Sequence, residues 1–287
     1  MDSVNFHLRR KHKMEFYDIL EQLGRGTFGV VYLCRKMHNK EKLVIKQIPI
    51  ELIGGDQSKA KNEVAILRSL SHPNVIQYFD SYMQHQSFCI VMEYASHGNL
   101  QQFIDERRKT LSYLDPQCVM NFICQIILGL HHIHEKGVVH RDLKSENIFI
   151  TGLRKDVLKI GDFGISKLLA NNYLANTIIG TCNYAAPEIC DGKPYNNKTD
   201  IWALGCVLYE LCELDKMFQG PISNIVLSIA RGTLKPINIK YGKQMQELLN
   251  LLMKPDPAER PDTTALLALA DIFPTLYAQI LNLGCIF

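Results

Sequence analysis

The sequence has little net charge, no long apolar run and no paired cysteines, and each absence removes a class of protein. Lysine and arginine outnumber aspartate and glutamate by three. So mild an imbalance gives no electrostatic case for a nucleic-acid or membrane-surface partner. No apolar stretch approaches the roughly 20 residues that span a bilayer. The best, Ile201 to Cys212, is short and contains Glu210. Residues 1–14 lack the apolar segment of a secretory signal and carry instead a basic run from Arg9 to Lys13. A prenylation box needs cysteine four residues from the end, where Gly284 stands. The nine cysteines are odd in number and scattered, with no CxxC spacing. That pattern fits reduced thiols of an intracellular protein, not a disulfide framework or a zinc site.

What remains is an ordinary globular composition, 47% apolar and 21% charged, in a chain of 287 residues. This length suits one large domain or two lobes. Up to Met92 the apolar residues alternate or cluster in short β-branched runs; beyond Asn99 they recur at helical spacing. Between them, Glu93-Tyr94-Ala95-Ser96-His97-Gly98 breaks the pattern and reads as a hinge. A cleft between two such lobes is a natural ligand site. Val119, Phe122, Ile123, Ile126, Ile127, Leu130 and Ile133 mark a long helix, and Asp200 to Leu211 reads as a buried one that Asp200 can cap.

The stretch Val138-Val139-His140-Arg141-Asp142-Leu143-Lys144-Ser145-Glu146-Asn147-Ile148-Phe149-Ile150 carries the densest chemistry. Its apolar flanks read as strands that hold a polar loop still. Such a loop presents a carboxylate (Asp142) as base, an ammonium (Lys144) for phosphate and an amide (Asn147) for a metal. Leu23-Gly24-Arg25-Gly26-Thr27-Phe28-Gly29-Val30-Val31 is glycine-rich, which lets backbone N–H groups approach phosphate. A β-branched run follows it rather than a helix, so a hairpin over phosphates fits better than a dinucleotide-binding βαβ unit. Lys46 sits in an alternating strand and needs a partner. Glu63, at the edge of the next helix (59–70), points either toward Lys46 or to solvent. Asp162, in Gly161-Asp162-Phe163-Gly164, ends a strand and can share magnesium with Asn147 through oxygen ligands. Residues 165–185 read as a polar surface loop, where a phosphate on Thr177 would find Arg141 available to pair. Asp200 can also reach back to the loop backbone, and Arg260 is a candidate partner for Glu188. His131, His132 and His134 invite a metal reading, but no acidic or cysteine ligands share their spacing.

Taken in order, the glycine-rich loop, the strand lysine of Leu43-Val44-Ile45-Lys46, His140-Arg141-Asp142-Leu143-Lys144, Asp162-Phe163-Gly164 and Ala186-Pro187-Glu188 resemble the eukaryotic protein kinase superfamily. Lys144 and Gly180-Thr181 resemble its serine/threonine class. Ile45-Lys46-Gln47-Ile48-Pro49, Lys144-Ser145-Glu146-Asn147-Ile148-Phe149 and Lys193-Pro194-Tyr195-Asn196 resemble the NIMA-related (Nek) kinases, with a texture like the branch associated with cilia. The resemblance implies an α+β, bilobal kinase fold: a basic extension over 1–16, a kinase domain over 17–275 (N-lobe 17–92, hinge 93–98, C-lobe 99–275) and a tail over 276–287. It implies ATP and Mg²⁺ as cofactors and protein Ser/Thr hydroxyls as acceptors. The adenine would meet the backbone of Glu93 and Ala95, with Leu23 to Val31 covering the phosphates. Lys46, held by Glu63, would orient ATP, and Asn147 and Asp162 would bind metal. Asp142 would take the hydroxyl proton, Lys144 would stabilise the moving phosphoryl, and Arg141 would sense phosphate on Thr177. Cytoskeletal or ciliary adaptor proteins are the partners it implies, with a cytoplasmic, cytoskeletal, centrosomal or ciliary location. Cys182, Asn183 and Ala185 depart from the family pattern beside the acceptor, so substrate preference does not carry over. A kinase-shaped scaffold without catalysis predicts a missing lysine, base or metal ligand, and all are present. A small-molecule kinase generally lacks the Ala186-Pro187-Glu188 segment.

Overall fold

The computed structural model describes residues 16–26, 29–53, 67–162, 182–194 and 196–283. Thr27, Phe28, Glu63 and Thr177 lie outside the described residues, as does most of the helix expected over 59–70. The described chain falls into two compact units. One holds 16–53, 67–71 and 76–94; the other holds 72–75 and everything from Ala95 onward.

The first unit is an antiparallel sheet of β1 (Tyr17–Gly26), β2 (Gly29–Lys36), β3 (Lys42–Pro49), β4 (Tyr78–Gln84) and β5 (Ser87–Glu93) in the order β1-β2-β3-β5-β4. Its β-branched and aromatic residues suit a pleated surface. Cys34, Leu43, Ile45, Tyr82, Cys89 and Val91 bury one face. The β4–β5 turn is His85-Gln86, both left-handed at φ 42° and 57°, the backbone that a tight hairpin's right-handed twist requires. In the register, Lys46 of β3 lies opposite Val31 on one side and Ile90 on the other.

The second unit is mainly helical: α1 (Leu100–Lys109), α2 (Pro116–Glu135), the hairpin β6 (Ile148–Thr151) and β7 (Val157–Ile160), then α3 (Pro187–Cys190), α4 (Asn197–Glu213), α5 (Ile222–Ala230), α6 (Gly242–Leu252), α7 (Thr263–Leu267) and α8 (Phe273–Leu283). The architecture is therefore α+β. Asp115 caps α2 and Pro116 opens it, a position where a missing N–H costs nothing. Every apolar residue predicted on this helix, from Val119 to Ile133, is buried. α2 packs on β7, α4, α7 and α8. The short segment His72–Val75 joins this unit because Asn74, fully buried, donates to Gln125 Oε1 (3.0 Å) and to the Leu158 carbonyl (2.9 Å).

Two expectations are corrected. Of the apolar flanks read as strands around the polar loop, only Ile148 to Ile150 forms one, in β6, while Val138-Val139 lies in none. Asp200 does not cap α4. Asn196 and Thr199 form a capping box that starts the helix at Asn197, and Asp200 sits inside the first turn. The histidines of α2 diverge rather than converge. His131 meets Thr263 Oγ1 at 3.1 Å, His132 stacks on His72 with ring centroids 5.2 Å apart, and His134 bonds Asp200. Glu188 and Arg260 do pair, through two contacts of 2.8 Å in a site where the side chains are 4% and 0% exposed.

Candidate active site

The polar loop between α2 and β6 is held by its backbone. Buried Asp200 accepts the N–H groups of His140 (2.8 Å, Oδ2) and Arg141 (3.0 Å, Oδ1), and Oδ2 also meets His134 Nε2 at 2.9 Å. Arg141 is left-handed at φ 69°, a conformation that costs a non-glycine residue free energy and persists only where its surroundings impose it. Here the two amides fixed by Asp200 impose it, and the next residue is Asp142.

His140 is fully buried. Its Nδ1 accepts the Asp142 N–H at 3.3 Å, so its proton lies on Nε2, which donates to the Gly161 carbonyl at 3.0 Å. Burial pushes its pKa down, so the ring is neutral. One imidazole thus connects the backbone of Asp142 to the residue before Asp162. Asp162 is left-handed as well, at φ 51°. The Gly161 N–H donates to the Asn147 carbonyl at 2.9 Å, which closes the circuit.

Within this frame three predicted side chains meet. Asn147 Nδ2 donates to the Asp142 carbonyl (2.8 Å) and to its Oδ2 (3.0 Å), and Lys144 Nζ lies 3.1 Å from the same Oδ2. Both amide hydrogens of Asn147 are spent on Asp142, so the amide can offer only its oxygen to anything else. With the Asp162 carboxylate this makes an oxygen-only donor set. Such a set fits magnesium, which takes one or two protein carboxylates and fills its other positions with water and phosphate.

The first unit holds the remaining described candidates except Ala95. Gly24 faces Val31 and Gly26 faces Gly29 across the β1–β2 ladder. Gly29 is sterically obligatory: at φ +140° a Cβ would come within 2.0 Å of the Gln47 carbonyl oxygen. At Gly24 and Gly26 a Cβ would meet nothing within 4 Å, so these leave bare backbone rather than relieve a clash. Bare backbone of this kind is what close approach to phosphate needs. Lys46 is half-buried in mid-strand. Glu93 ends β5, where its N–H donates to the Gln77 carbonyl (2.9 Å) and its Oε2 accepts the Gln77 N–H (3.1 Å). Leu23, Val30 and Val31 lie on β1 and β2, and Arg25 pairs with Val30. Ala95 is buried and belongs to the second unit.

A protein kinase domain model matches residues 17–270. Curated relatives add the finer family. The chain is 41% identical over 257 residues to serine/threonine-protein kinase Nek8 of Danio rerio, covering 89% of this chain and 36% of that protein. It is 40% identical over 259 residues to Nek5 of Homo sapiens, covering 88% and 36%. It is 38% identical over 280 residues to nekl-2 of Caenorhabditis elegans, covering 94% and 78%. The chain belongs to the Nek family of serine/threonine-protein kinases. It spans about a third of the length of Nek8 and Nek5, 36% of each. One further group of polar residues is joined by no sequence motif. Glu210 of α4, Tyr184 and Ser145 form a buried cluster, with Ser145 itself part of the polar loop between α2 and β6. In the sequence Glu210 only interrupts an apolar run. No short-range spacing ties it to Tyr184 or Ser145.

Proposed function

We propose that this chain transfers the γ-phosphoryl group of ATP to serine and threonine hydroxyls of protein substrates, with the site residues in the roles their chemistry suggests. The observation that carries the reading is the convergence of Asn147 Nδ2 and Lys144 Nζ on one Asp142 oxygen. Two donors on Oδ2 orient the carboxylate that is to receive the acceptor proton. Lys144, beside that carboxylate, supplies positive charge to the phosphoryl in transit. Lys46 orients the phosphates of ATP, and Glu63 is its proposed partner. The glycine-rich segment, with Gly24 and Gly26 bare, covers the phosphates, and the backbone of Glu93 and Ala95 receives the adenine. Asn147 and Asp162 hold the metal, which when bound neutralises the phosphate charges. Catalysis is then mostly positioning and charge neutralisation.

The proposed domain spans 17–275 with its hinge at 93–98, and Thr177 is its regulatory phosphosite with Arg141 as sensor. Action in cilium, microtubule or cell-cycle regulation, with cytoskeletal or ciliary adaptors, rests on the family texture of the segments quoted above. Among the described residues no helix is long and apolar enough to cross a membrane, which accords with a reading that needs no insertion. The test is phosphorylation of a Ser/Thr peptide library with ATP and magnesium, followed by phosphosite mapping. Asp142→Asn and Lys46→Met are expected to abolish transfer while leaving folding intact. Transfer retained in both variants sinks the assignment.

A further inference from the structure

The cluster around Tyr184 contains more close oxygen contacts than its hydroxyl hydrogens can serve. The Tyr184 hydroxyl lies 2.7 and 2.9 Å from the two oxygens of Glu210. It lies 2.8 Å from Ser145 Oγ. Ser145 Oγ lies 2.8 Å from Gln101 Oε1. The Gln101 amide is oriented by its own bond, Nε2 donating to Asp105 Oδ1 at 2.9 Å, so an oxygen faces Ser145. Glu210 to Tyr184, Tyr184 to Ser145 and Ser145 to Gln101 make three contacts at hydrogen-bond distance, and each needs one hydrogen. Ser145 and Tyr184 bring two. The Gln101 oxygen brings none, and an ionised Glu210 brings none.

The geometry points to Glu210 as a proton-carrying positioning residue: its neutral carboxyl supplies the third hydrogen and completes a chain of donors, Glu210 to Tyr184 to Ser145 to Gln101, that fastens the catalytic loop. The proton comes from solvent and no other bond changes. The proposal rests on the kinase reading above, and it adds to that reading a control on the loop.

The surroundings agree. Glu210 is 2% exposed and burial, the largest effect, pushes its carboxyl up to about 7. Glu146, from the catalytic loop, pushes in the same direction. Opposing them are the bonds from Tyr184 and Ser145 and the Lys216 ammonium, while the Cys206 thiol faces Glu210 from its own helix. Lys216 is already engaged, 3.3 Å from Glu146 Oε1. An ionised Glu210 would leave two carboxylates sharing one ammonium. Ser145 directly follows Lys144 and lies two residues before Asn147. With Glu210 ionised, Ser145 can satisfy Tyr184 or Gln101 but not both, and one tether of that loop is lost.

Two measurements test this. Infrared spectra of the whole chain at about pH 6 and about pH 8 bracket the range in which a carboxyl near 7 titrates. A protonated-carboxyl band is expected at the lower pH, absent at the higher, and missing in Glu210→Gln. This readout needs no turnover, and Asp142→Asn should keep the band while losing transfer, so a failure here is separable from a failure of the kinase reading. The second is peptide phosphorylation across the same range. Ser145→Ala is expected to lower kcat about fivefold, the effect of one lost neutral hydrogen bond, with KM for ATP unchanged and Ser145→Thr restoring it. Wild type should also lose kcat above about pH 7 in a limb that Ser145→Ala lacks. Absence of the band at the lower pH overturns the proposal. So does a wild-type kcat and pH limb in Ser145→Ala, which carries the test if Glu210→Gln does not fold.

Discussion

Replacing Asp200 by asparagine tests whether the catalytic loop is shaped from outside itself. The side chain keeps its size and loses only charge and one acceptor. In the native site Oδ1 takes the Arg141 N–H and Oδ2 takes the His140 N–H. An amide must turn its NH₂ toward one of these. One orientation sets it against the Arg141 N–H and the other against the His140 N–H. A tautomer change at His134, whose Nδ1 makes no hydrogen bond in its buried position, relieves neither clash. One charge-assisted bond is lost, worth roughly 1.5–3 kcal/mol, and one buried N–H is left without an acceptor, a further 1–3 kcal/mol. The expected destabilisation is about 3–5 kcal/mol, read by urea unfolding. The same change removes what holds Arg141 at φ 69°. Relaxation there swings Asp142, the next residue, away from its place. The kcat for peptide phosphorylation is therefore expected to fall about 100-fold or more, the equivalent of some 3 kcal/mol, while KM for ATP stays within a few-fold. A variant that unfolds more easily but keeps wild-type kcat would refute the reasoning, because loop geometry would then not depend on Asp200.

Three further outcomes follow from the packing. Arg260→Met should cost about 3–5 kcal/mol in denaturant unfolding, since it strands Glu188 at 4% exposure without its two 2.8 Å contacts; a cost below about 1 kcal/mol would contradict that. Glu210 holds its proton up to about 7 in the fold against an ordinary value of 4.5, so its contribution is fully present below about 4.5 and is lost as pH rises through about 7. Wild type should thus lose roughly 3 kcal/mol relative to Glu210→Gln between those limits, measured by unfolding at several pH values. Gly29→Ala should destabilise the fold by more than about 2 kcal/mol through its 2.0 Å approach to Gln47 and its φ of +140°, whereas Gly24→Ala, with nothing within 4 Å, should leave stability within about 0.5 kcal/mol. Thermal unfolding of the two alanine variants side by side decides this.

Short-range features carried well from sequence to structure. The alternation of Leu43 to Ile48 became β3, and the repeat from Val119 to Ile133 became the buried face of α2. Asp142, Lys144 and Asn147 sit within six residues, so one loop had to hold them. Partnerships across long separations were legible only where opposite charges suggested them, as for Glu188 and Arg260. The start of α4 was misread because Asp200 has the chemistry of a cap, but Asn196 and Thr199 satisfy the helix first and leave that carboxylate for residues 60 positions earlier. The three-histidine run was set aside as a ligand set for want of acidic or cysteine partners, and its side chains do diverge around the helix. The meeting of Ser145, Tyr184 and Glu210 gave no signal, since it depends on contacts 39 and 26 residues apart.

The dependence of the loop on Asp200 also sets an order of assembly. A chain emerging from the ribosome presents its N-terminal part first. All five strands of the first unit are available once Glu93 is out, and they pair through hairpins and one nearby crossing. The catalytic loop has no such independence. Its amides wait for Asp200, and Glu188 waits for Arg260. A nascent or truncated chain that stops short of residue 200 would carry every residue of the loop without the contacts that fix its backbone, so the proposed site cannot be built until synthesis is about halfway through the second unit.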